Sequence, residues 1–118
     1  MNDSITLRVS DLIGSPLCIS AEDGQKVFDR LTPLLREGKQ VNVSFERVKT
    51  LISLFLNASI GQLYGTFNED QIRAQVKIIG LAEDDLDMLR RVVENAKKYY
   101  ANQPAYDQAW KLESDDEE

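Results

Sequence analysis

The sequence predicts an α/β domain, a four-stranded mixed sheet with about three helices packed mainly on one side. Three observations carry that expectation. Short segments with apolar residues at alternate positions recur along the chain, as strands require. Between them lie longer segments with apolar residues every three or four positions, the period of a helix. The length of 118 residues, with 42% hydrophobic and 29% charged side chains, suits one globular domain that buries a core without staples.

The elements follow in order. Ile5, Leu7 and Val9 alternate with Thr6 and Arg8, predicting a half-buried strand. Asp11 to Pro16 reads as a turn, and Leu17 to Ile19 as a second strand paired antiparallel to the first. Ser20 is placed to cap a helix with Glu22 and Asp23 in its first turn, where acidic groups suit the helix dipole. Val27, Phe28, Leu31, Leu34 and Leu35 form its apolar stripe, Pro33 interrupts it and Gly38 ends it. Val41, Val43 and Phe45 predict a third strand, and Glu46 to Thr50 a connection. A second helix begins near Ser53, with Leu56, Ile60, Leu63, Tyr64 and Phe67 on one side. Asn68-Glu69-Asp70 reads as a polar break. Val76, Ile78 and Ile79 predict the fourth strand, closed by Gly80. Leu86, Leu89, Val93, Ala96 and Tyr100 predict the last helix, whose exposed face carries the pairs Asp87 with Arg91 and Glu94 with Lys98. Strands separated by helices imply parallel pairs. Residues 1–102 therefore read as one domain, and 103–118 as an acidic, partly disordered tail.

Composition excludes several functions. There is no histidine, which removes the commonest general base and metal ligand. The single cysteine, Cys18, cannot form an internal disulfide, and its apolar neighbours predict a buried inert thiol. The net charge of −6 disfavours nucleic acid and membrane surfaces as partners. Five of the last six residues are acidic, and without them the net charge is −1. No signal peptide or membrane-length apolar run is visible, so a cytoplasmic location is expected. The carboxylate clusters Glu22-Asp23 and Glu83-Asp84-Asp85 stand at helix starts, where the dipole accounts for them. No phosphate loop, nucleophile elbow or metal spacing is present. The expectation is a protein without enzymatic activity, cofactor or metal.

Five segments carry a resemblance: Ser20-Ala21-Glu22-Asp23-Gly24, Val41 through Val48, Ile52-Ser53-Leu54-Phe55, Gly61-Gln62-Leu63-Tyr64, and Val76 through Leu81. In order and spacing they resemble the STAS-like proteins, small relatives of the anti-sigma-factor antagonists, over Ile5 to Tyr100. The chain departs from the family pattern where Ser44 replaces a common Asp, Arg47 a common Gly and Leu54 a common Ser. Ile52 stands where an acidic residue usually precedes the serine. The resemblance implies a regulatory protein-binding module whose partner is a histidine-kinase-like ATPase or an anti-sigma factor. In the antagonist relatives a serine at the start of the second helix is phosphorylated by such an ATPase, and modification abolishes binding. Ser53 best matches that serine.

The candidate surface is the loop before the second helix and its first turns: Arg47, Lys49, Ser53, Leu54, Phe55 and Asn57. Leu54 and Phe55 would be apolar anchors. Ser53 also has a purely structural reading as a helix cap. The small residues Asn57, Ala58, Gly61 and Gly65 signal either close packing within the domain or a shallow surface for a partner. Tyr106, Trp110 and Leu112 read either as a segment folded back on the body or as a short linear binding motif. The alternative function is a self-associating structural or accessory subunit, a homodimer for example, with the Trp110 tail exchanged between copies.

Overall fold

The structure is a computed structural model and describes residues 4–101. Tyr106, Trp110, Leu112 and the whole 103–118 segment lie outside the described residues.

The first strand, β1 (Ser4–Arg8), shows the expected alternation, with Leu7 buried between exposed Thr6 and Arg8. It stops one residue early. Val9 opens a short helix, α1 (Val9–Ile13), and is fully buried there. An apolar residue at that position fits an alternating strand and a buried helix start equally well. Helix α1 carries the chain away from β1, so β2 (Leu17–Cys18) forms no hairpin with it. Instead β2 pairs in parallel with β4 (Thr50–Leu51), a strand that starts at the last residue of the expected Glu46 to Thr50 connection. The four-stranded mixed sheet is thus corrected to two parallel sheets, one three-stranded and one two-stranded.

Ser20 caps α2 (Ala21–Arg36), its hydroxyl accepting from the Asp23 amide at 3.1 Å. Val27, Leu31 and Leu35 are buried, and Phe28 and Leu34 partly so. The helix runs on through Pro33. Pro33 and Asp29, whose carbonyl loses its helical donor, are both exposed, so water can replace that donor. Gly38, at φ +80°, closes the helix. Its amide donates to Leu35 O and that of Lys39 to Leu34 O, both at 3.0 Å, the paired bonds of a Schellman motif.

Next come β3 (Gln40–Ser44) and, later, β5 (Val76–Ile79). The larger sheet has the order β1-β3-β5, with Leu7 beside Val43 and Val43 beside Ile78. That row turns toward the helices. The chain between β4 and β5 is more broken than the single helix its apolar stripe predicts. It holds α3 (Ser53–Leu56), a π-helical turn (Asn57–Gly61), α4 (Leu63–Thr66) and α5 (Glu69–Gln75). Asn68 is not a break but the cap of α5, its side chain accepting from the Gln71 amide at 2.7 Å. The final helix, α6 (Glu83–Ala101), buries Leu89, Val92 and Ala96.

One contact fixes the arrangement. Helix α2 crosses the α3 region at Gly24, where an added Cβ would lie 2.6 Å from the Phe55 carbonyl oxygen and 2.8 Å from the Ala58 Cβ. Only glycine permits that approach. The π turn sits directly below. Its wide backbone loosens the helical ladder, and side chains supply hydrogen bonds of their own. Ser59 Oγ donates to Phe55 O at 2.8 Å, and Gln62 Nε2 donates to Ala58 O at 2.7 Å. Phe55 meets Phe45 edge to face, with ring centroids 6.4 Å apart.

Candidate functional site

Strand β4 delivers the chain from the small sheet to the start of α3. In this sheet the side chains alternate. Cys18 and Leu51, register partners, turn inward and are buried. Their neighbours turn outward. Leu17 is 41% exposed, Ile19 47% and Ile52 37%. The Ile52 amide donates to Cys18 O at 3.1 Å, which carries the pairing one residue further and sets Ile19 beside Ile52. Leu54, in the first turn of α3, is 50% exposed. Four large apolar side chains, each roughly half-exposed, therefore lie around the first turn of α3.

Ser53 lies among them, between Ile52 and Leu54. It is exposed, but it is not the cap. Ile52 occupies the cap position, and Ser53 is the first helical residue. Among the described residues its hydroxyl has no hydrogen-bond partner, so the structural reading of Ser53 as a cap is corrected. Asn57, one turn further along, is also exposed. Phe55 is not on this surface. Its side chain is fully buried against Phe45, because it stands on the opposite face of α3 from Ser53. The anchor predicted at Phe55 belongs to the core.

Arg47 and Lys49 flank the apolar group on the Pro16 side. Both are exposed, and the Lys49 amide donates to Pro16 O at 2.7 Å. Arg47 has φ +70°, and among the described residues it is the one non-glycine in the left-handed region. Glycine, which the resemblance implies at this position, would adopt that backbone without the strain a Cβ brings. A shallow hollow beside Arg47 is lined by Ser10, Asp11, Gly14 and Pro16.

The small-residue stripe is occupied from within. Gly61 faces Val92 and Ala96 of α6, and the Tyr100 ring fills the space that a Cβ at Gly65 would take. Close packing thus accounts for the glycines, while the Asn57 side chain is exposed. Three surface residues were missed from the sequence: Leu17, Ile19 and Ile52. The signal was available, since Leu17 and Ile19 bracket Cys18 at the period of a strand with one face buried.

Burial pushes the Cys18 thiol up to about 12, helped by the negative charge of Asp23, so the thiol beneath the patch stays protonated and inert. Among the described residues no group of three or more His, Cys, Asp or Glu could hold a metal ion, and no helix is long and apolar enough to cross a membrane.

A family model described as "STAS-like domain of unknown function (DUF4325)" matches residues 23–86, more than half the chain. The matched span runs from the first turn of α2 to the first turn of α6, and so includes β4, the start of α3 and the π turn. It is narrower than the Ile5 to Tyr100 reach of the resemblance. No curated protein and no solved structure matches the chain.

Proposed function

Because the chain belongs to the family of STAS-like domains of unknown function, we propose that it is a non-enzymatic regulatory module that binds another protein through the start of α3. One observation carries this reading. Ile52 and Leu54 hold a free serine hydroxyl between two solvent-facing apolar side chains, with Leu17 and Ile19 extending the same surface. Exposed apolar groups gathered in one place mark interaction sites, and scattered ones do not. Arg47, Lys49 and Asn57 form the polar rim. The partner is a histidine-kinase-like ATPase or an anti-sigma-type protein in the cytoplasm, and phosphate on Ser53 releases it. A phosphoryl group there adds about two negative charges to an apolar contact, which must then be desolvated on binding.

Capture of the native partner on the immobilised chain tests this. Leu54→Asp is expected to weaken binding roughly 30-fold, as removal of an anchor worth about 2 kcal/mol does. Asp70→Lys, an exposed change on α5, is expected to leave it intact. Unchanged binding by Leu54→Asp overturns the surface. Unchanged binding by Ser53→Asp overturns the switch alone. The alternative, a self-associating accessory subunit, turns the same four apolar side chains toward a second copy. Light scattering that finds a dimer in the wild type and a monomer in Leu54→Asp favours it.

A further inference from the structure

The larger sheet is wholly parallel, and such sheets are almost always covered on both faces. Here the two faces differ. Leu7, Val43 and Ile78 point to the helices. The opposite row holds Thr6, Asn42 and Lys77, and the next holds Arg8, Ser44 and Ile79. Thr6, Arg8 and Lys77 on the two outer strands are exposed, Asn42 and Ile79 are half-buried, and Ser44 at the centre is buried. Among the described residues neither Arg8 nor Lys77 pairs with a carboxylate. At the amino ends of the strands this face opens into a polar hollow of about 450 Å³ lined by Asn42, Arg73, Gln75 and Lys77.

The chain leaves the described body on the helix side, where the Tyr100 ring covers Gly65 of α4. Lys97, in the last turns of α6, pairs with Glu69 at 2.7 Å, and Glu69 also takes Arg73 at 2.6 Å. Residues 102–118 follow. They carry Asp107, Glu113, Asp115, Asp116, Glu117 and Glu118 against one cation, Lys111, together with Tyr106 and Trp110. Seventeen residues can extend about 55 Å, while this three-stranded sheet, with strands of 5, 5 and 4 residues, is about 10 Å by 17 Å. Length and charge both fit one occupant.

We propose that residues 102–118 of this chain dock back across the polar face of the β1-β3-β5 sheet, their carboxylates against Arg8 and Lys77 and the Trp110 ring shielded on that face. The docking is independent of the partner surface at Ser53, which lies elsewhere and has a separate readout. A tethered segment reaches its site at high effective concentration, so modest ion pairs and one aromatic contact suffice.

Trp110 is the only tryptophan and reports its own surroundings in the full chain. In the wild type its emission is expected to be blue-shifted, and its quenching by neutral acrylamide reduced, relative to the urea-unfolded chain. Arg8→Glu with Lys77→Glu is expected to move both readings to the unfolded-chain values while far-ultraviolet circular dichroism stays native. Arg47→Glu with Lys49→Glu is expected to leave them at wild-type values. Adding Asp115→Lys, Asp116→Lys, Glu117→Lys and Glu118→Lys to the reversed face is expected to restore shielding. Three results overturn the proposal: a wild-type Trp110 as accessible as in urea, shielding that survives reversal of Arg8 and Lys77, or shielding lost on dilution, which assigns the face to a second copy.

Discussion

Ile52 to Leu56 places two regions side by side. On one side of the first turn of α3, Ile52, Ser53 and Leu54 face solvent. On the other, Phe55 and Leu56 are fully buried. The buried side is held by Phe45, by α2 crossing at Gly24 and by the Ser59 hydroxyl on the Phe55 carbonyl. The exposed side has no comparable restraint. Residues of similar hydrophobicity are thus used once for stability and once for something else. A helix start of this kind stays in place because its underside is anchored, which leaves the upper side free of the core's packing demands.

The comparison breaks or stands on paired truncations. Phe55→Ala is expected to lose about 3–5 kcal/mol of stability in urea unfolding, since it removes a buried ring and leaves a cavity. Leu54→Ala is expected to change stability by less than about 0.5 kcal/mol while weakening partner binding. Equal losses at the two positions would mean that Leu54 is part of the core, and the division of α3 would collapse.

Gly24→Ala probes the anchor from the other helix. Alanine is ordinarily the better helix former by about 1 kcal/mol. Here its methyl would meet the Phe55 carbonyl and the Ala58 Cβ inside van der Waals distance, and backbone atoms cannot step aside as a flexible side chain can. A net loss of about 1–3 kcal/mol is expected. A gain would show that α2 and α3 pack more loosely than the geometry requires.

How much of this was legible in the sequence follows the same division. The caps at Ser20 and Gly38 and the stripe of α2 were readable because each is a local signal with a local cause. The strands β3 and β5 were readable by their alternation. The pairing of β2 with β4 was not, because two-residue strands are specified by distant partners and Thr50-Leu51 has no period of its own. The π turn was hidden for a related reason: Leu56, Ile60 and Leu63 keep helical spacing while the backbone between them widens. Ser53 was found as an exposed helix start. Phe55 was misplaced because a helix start with three apolar residues in four shows no face of its own. The tertiary contact with Phe45 decides which of them turns in.

Cys18 sharpens the contrast within one strand. It is buried between exposed Leu17 and Ile19, and its thiol is pushed up to about 12 by burial. The folded chain then holds this proton more tightly than the unfolded chain, whose thiol ionises near 9.0. Stability from this group is complete below pH 9 and is lost progressively between pH 9 and about 12. Alkylation at pH 8 is expected to be negligible in the native chain and rapid in urea, and Cys18→Ser is expected to remove that part of the alkaline loss. Rapid alkylation of the native chain would show that the small sheet opens, and with it the platform beneath Ile19 and Ile52.

The smallest effect concerns the loop that leads into the exposed side. Arg47 holds a left-handed backbone at φ +70°, a conformation that costs a residue with a Cβ about 1–2 kcal/mol. Glycine avoids that strain but loses more conformational freedom on folding, about 0.5–1 kcal/mol. Arg47→Gly is therefore expected to raise stability by up to about 1 kcal/mol in urea unfolding, while weakening the partner complex through loss of the rim guanidinium. Arg47→Ala separates the two effects, since it removes the same charge and keeps the strain. If both variants bind as the wild type does, Arg47 contributes nothing to the contact, and the polar rim shrinks to Lys49 and Asn57. If Arg47→Gly is less stable than the wild type, the arginine side chain supplies more than its backbone costs, and the loop belongs with the anchored side of α3.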